Sequence, residues 1–121
     1  MKNRKSFSDL VFNPHANVNN GVQARLDLGN NLEFSVVSMK NKEQEFGGLY
    51  GSVKAGTYEV AVFQNGSMLP LSPFDDVVGW QTETDVTELM GQLQGKKDEV
   101  NDFIDQLHLA RSEGRAELEL D

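Results

Sequence analysis

Asp75 and Asp76 stand side by side just ahead of Val77-Val78-Gly79-Trp80. Adjacent residues on an extended segment point to opposite sides, so the two carboxylates make a poor acid/base couple. One of them is expected to cap a turn while the other faces solvent. Asp76 is also a candidate ligand contact, although a divalent cation would need more oxygen ligands than these two. Trp80, on an acidic loop expected to run up to the first helix, offers an indole face on which a base or another planar ligand can stack; its alternative role is a lid over the core. Phosphates would need cationic donors, and Arg111 and Arg115, four residues apart, supply planar forks if a helix carries both on one face. Their other role is favourable charge at a helix C-terminus. Gly47, Gly48 and Gly51 resemble a phosphate-cradling loop in composition, but no Gly-Lys-Ser/Thr step accompanies them. Tyr50 sits among these glycines and completes the set of candidate ligand contacts.

Catalytic groups are scarce. The chain has no cysteine, which removes thiolate nucleophiles, thiolate metal sites and disulfides together. His15 and His108 have no second histidine at helical spacing, and no serine lies in a Gly-x-Ser-x-Gly context. These side chains can hold a molecule but show no constellation for breaking bonds. The expectation is a non-enzymatic binder without cofactor or metal.

Positioning such contacts falls to a sheet followed by helices. Val22 to Leu28 alternates apolar and polar residues, Gly29-Asn30-Asn31 supplies a turn, and Leu32 to Met39 resumes the alternation, giving a hairpin. Thr57 to Phe63 is a strand, Asn65-Gly66 a tight turn, and Met68 to Leu71 a short return strand that Pro70 pushes to an edge. Phe7 to Phe12 reads as an edge strand or one helical turn. Asn13 to Gly21 and Lys40 to Gly56 read as loops, the second anchored by Phe46, Leu49 and Tyr50.

Thr82 and Asp85 form a capping-box pattern ahead of Val86, Leu89, Met90 and Leu93, and Gly95 marks a stop. A second helix is expected from about Lys96 to Arg111, with Val100, Phe103, Ile104, Leu107 and Ala110 as a narrow apolar stripe. That stripe suits either the sheet or a copy of itself in a homodimer or higher homo-oligomer. Gly114 makes continuation doubtful, and the tail after it is expected to form a short strand or stay disordered. The fold class is therefore α+β, an antiparallel sheet of four to five strands followed by two C-terminal helices. The chain forms a single domain with a β-rich part over 7–80, a helical part over 84–112, and disordered ends at 1–6 and 115–121.

With 121 residues, the chain can build a core without metal or disulfide staples. Its net charge of −8, from 11 basic and 19 acidic residues, argues against binding duplex nucleic acid. The acidity reads either as a solubilising surface or as imitation of DNA charge. The basic start lacks a signal-peptide apolar stretch, and no segment approaches the ~20 apolar residues needed to span a bilayer. A cytoplasmic location follows as the default, with no membrane partner.

The ordered series GTYEVAV, DDVVGW and TDVTELM resembles a family of small phage and prophage proteins, matching from about Phe7 to Leu93. The long loop 40–56 and the chain beyond Gly95 depart from that pattern. The general plan is similar to anti-Thoeris sponge proteins, which sequester cyclic ADP-ribose-type signals between subunits. That resemblance implies a phage anti-defence protein in the host cytoplasm, with Trp80 stacking on a base and Arg111 and Arg115 contacting phosphates of a small cyclic nucleotide. The competing expectation is an acidic phage inhibitor that docks on a host protein, as the acids Asp98, Glu99, Asp102 and Asp105 on the second helix suggest.

Overall fold

A computed structural model describes residues 4–18, 20–40 and 51–120, with side chains described through Gly114. Among the described residues the six strands are β1 (Asn13–Pro14), β2 (Gly21–Gly29), β3 (Leu32–Met39), β4 (Thr57–Gln64), β5 (Ser67–Met68) and β6 (Val78–Thr82). Two helices follow, α1 (Glu83–Gln92) and α2 (Lys97–Leu120). All strand pairs in the sheet are antiparallel, in the order β1-β2-β3-β4, with β5 and β6 both paired to the far side of β4. The architecture is α+β, as the sequence implies.

Both expected hairpins form, for the expected reasons. Gly29, Asn30 and Asn31 take φ of 86°, 53° and 64° at the β2–β3 turn, and the Gly29 amide donates to Asp27 Oδ1 at 2.8 Å. Asn65 and Gly66 take φ of 52° and 85°, the two positive values that a tight hairpin turn requires. The return strand β5 stops at Met68, before Pro70, which has no amide to donate to a ladder. Phe7–Asp9 forms a 3-10 turn, closed by an Asp9 carboxylate that accepts from the Ser6 amide.

One face of the sheet carries the core. Leu32, Phe34 and Val36 of β3 and Tyr58, Val60 and Val62 of β4 alternate onto it, and Val86 and Met90 of α1, Leu93 just after it, and Val100 and Ile104 of α2 cover them. Burial of each such apolar side chain contributes about 1.5–3 kcal/mol. Phe7 and Phe12 extend the core sideways, with ring centroids 4.9 and 5.6 Å from that of Tyr58. On the opposite face Arg25 pairs with Glu33 at 2.7 Å and lies over the Phe63 ring.

Four expectations are corrected. The return strand expected over Met68 to Leu71 is Ser67–Met68, its pairing with β4 ending ahead of Pro70. The segment from Val78 to Thr82, read from sequence as loop, is strand β6. Asn13–Pro14 inside the first loop pairs with β2. Helix α2 runs through Gly114 to Leu120, so the chain after Gly114 continues the helix and adds no strand. Gly114 is buried beneath the loop before β6: a Cβ at that position would stand 3.1 Å from Pro73 Cβ and 3.2 Å from Phe74 Cε1. The glycine is there for a close approach, not to end a helix.

Candidate binding face around Trp80 and the helix groove

β5 and β6 run in the same direction along one edge of β4, separated by the excursion 69–77. Val78 lies opposite Val60, but Gln81 lies opposite Tyr58. β6 thus carries one residue more than β4 across this step, a β-bulge. Trp80 occupies the bulge with φ of 55° and is 61% exposed. A bulky residue in left-handed backbone is uncommon, and its Cβ costs roughly 1–2 kcal/mol there. With that exposure, most of the indole lies outside the core. The bulge has a local cause. It sits between Val78, which packs against the core, and Thr82, which caps α1 by accepting from the Asp85 amide. Asp85 Oδ2 accepts from the Thr82 amide in return, at 3.0 Å, which completes the expected capping box.

Val78 and Gln81, on either side of the bulge, also line a groove of about 340 Å³. Its apolar lining comes from Leu71 and Val78, from Leu89 of α1, and from Phe103 and Leu107 of α2. Its polar lining is Gln81, Asp85, Glu88 and Gln92, with no cationic side chain among them. Val100 and Ile104 of the α2 stripe are buried in the domain's own core, whereas Leu109 is 58% exposed.

The excursion that supplies Leu71 is held onto α2. Arg111 donates from Nη2 to Asp76 Oδ1 at 2.8 Å and to the Ser72 carbonyl at 3.2 Å, with Nε 3.4 Å from the same carbonyl. Within the loop, Ser72 Oγ accepts from the Asp75 amide and Asp75 Oδ1 from the Val77 amide. The adjacent aspartates therefore divide their work: Asp75 caps a turn and Asp76 faces Arg111. Two of the sequence-selected contacts are thus brought together, as partners of each other. The Arg111 fork is engaged with protein acceptors where the phosphate reading needs it directed at a ligand. Arg115 lies one turn further along α2, but its side chain falls outside the described residues, as does all of Tyr50.

Elsewhere, His15 Nδ1 accepts from the Asn17 amide at 3.0 Å and lines a loop cavity with Lys40. His108 is exposed on α2. No group of three or more His, Asp or Glu side chains is placed to hold a metal ion among the described residues. Among the same residues, no helix is long and apolar enough to cross a membrane. Burial, and then the charge of Glu83, raise the Tyr58 phenol above its ordinary value.

The groove is what sequence reasoning missed. Its walls come from four separated segments, and only the partial exposure of Phe103 and Leu107 at the margin of the α2 stripe hints at it. In comparisons with known proteins, the chain matches no family model, no curated protein and no solved structure.

Proposed function

We propose that this is a non-catalytic phage-type binding protein that docks on a basic surface of a host protein, with Trp80 as its anchor. The observation that carries this reading is the 61% exposed indole on a left-handed bulge. Large aromatic residues at the centre of protein interfaces dominate binding energy. A net charge of −8 and a neighbouring groove whose described lining holds carboxylates and no cation favour a basic partner over an anionic one. The test is affinity capture from bacterial lysate with the native chain and with Trp80→Gly as baits. A basic protein retained by the native chain and released by the variant supports the reading. Identical retention by both baits refutes it.

Capture of a small cyclic nucleotide is the second reading, and the exposed indole favours it, since stacking of a base contributes about 1–3 kcal/mol. It requires a phosphate donor other than the engaged Arg111 fork. Calorimetric titration with cyclic ADP-ribose isomers and cyclic oligonucleotides separates the two. Heat with a nucleotide that disappears in Trp80→Gly would favour this reading over protein docking.

A further inference from the structure

We infer that the groove between α1, α2 and β6 seats a cationic amphipathic helix contributed by the partner protein. This inference rests on the docking reading above and specifies what the partner presents.

The groove is walled by two helices and a strand, and its lining is apolar through Leu71, Val78, Leu89, Phe103 and Leu107. A groove walled by two helices and lined by apolar residues is the surface into which an amphipathic helix lays its anchors at i, i+3 or i+4, and i+7.

The polar surroundings set the partner's charge. Asp85 and Glu88 line the groove, and Glu99, exposed on α2, stands one turn before Phe103. Lysines or arginines flanking an apolar stripe would meet these carboxylates. A second copy of this chain is the wrong occupant, because its own α2 would bring Asp98, Glu99, Asp102 and Asp105 toward the same acids. An added strand is also disfavoured, since the bulge at Trp80 interrupts the β6 edge on which it would pair.

A fluorescein-labelled Lys/Leu peptide of about four helical turns, with leucines at helical spacing, tests this by anisotropy at fixed salt. The control is a peptide of the same composition with the spacing scrambled. Two variants, each checked by far-UV circular dichroism, complete the set. Glu88→Lys with Glu99→Lys reverses charge at exposed positions, and Gln92→Trp fills the groove from its exposed lining. The patterned peptide is expected to bind at least about tenfold tighter than the scrambled one, a 1.4 kcal/mol difference. Both variants should weaken it by a similar factor. Equal binding of the two peptides, or undiminished binding by the charge-reversed chain, would overturn the inference. If the peptide fails while a basic protein is still captured through Trp80, the groove inference falls and the docking reading stands. If neither binds, both fall.

Discussion

Replacing Trp80 by glycine and by alanine should reverse the stability order usual for these two residues. In a strand interior glycine is ordinarily the poorer of the two by roughly 0.5–1 kcal/mol. At position 80 the φ of 55° inverts this, because alanine keeps the left-handed penalty of about 1–2 kcal/mol and glycine loses it. Against that gain stands the greater freedom of glycine in the unfolded chain, about 0.4–1 kcal/mol. Both variants lose the covered part of the indole. With 61% exposed, about two fifths of the ~150–250 Å² that a fully buried aromatic removes from water is at stake. At ~25 cal/mol per Å² this is at most about 1.5–2.5 kcal/mol. Trp80→Ala should therefore be destabilised by about 2 kcal/mol, and Trp80→Gly by about 1 kcal/mol. Urea denaturation followed by far-UV circular dichroism measures both, since either change removes the chain's single tryptophan. An alanine variant as stable as the glycine one would refute the left-handed assignment and, with it, the idea that the fold holds this indole outward at a cost.

Arg111→Ala should lower stability by about 1–2 kcal/mol, modest because the Arg111 and Asp76 side chains are 19% and 45% exposed. Arg111→Lys should recover only part of this, since an ammonium cannot reproduce the fork across Ser72 and Asp76. A double-mutant cycle with Asp76→Asn that shows no coupling would remove the pairing from the account. Thr82→Ala should cost about 1 kcal/mol in urea midpoint experiments by removing the side-chain acceptor at the start of α1. Because the folded state raises the phenol of Tyr58, its contribution to stability is fully present below the unfolded value near 10 and is lost as pH rises through the folded one. Tyr58→Phe should flatten that alkaline loss, and an unchanged pH profile would show that another group causes it.

The hairpins were legible because their signals are local. Alternation sets the strand faces, and Asn-Gly and Gly-Asn-Asn set the turns. The capping box at Thr82 is likewise contained within four residues. β6 escaped notice because its bulge breaks the two-residue period, so Val77 to Gln81 alternates with nothing. The length of α2 escaped because a glycine's intrinsic helix penalty, about 1 kcal/mol, is a local quantity. The close approach of Pro73 and Phe74 to Gly114 is a tertiary one. The candidate site was only half legible for the same reason. Residue type identified Trp80, Asp76 and Arg111, but no spacing rule shows that Asp76 and Arg111, 35 residues apart, would be bonded to each other.

The broken edge beside β4 has a further meaning. Opposite the stretch from Phe63 to Val60, an unbroken partner strand would need two residues between Met68 and Val78, where this chain has the nine of 69–77. The surplus of seven is superfluous to the ladder and supplies Leu71, Ser72, Pro73, Phe74 and Asp76. Those residues instead tie the sheet edge to α2, through the Arg111 bonds to Ser72 and Asp76 and the packing of Pro73 and Phe74 on Gly114. A change in the length of this insert would leave the β4 ladder paired but release α2 from its latch.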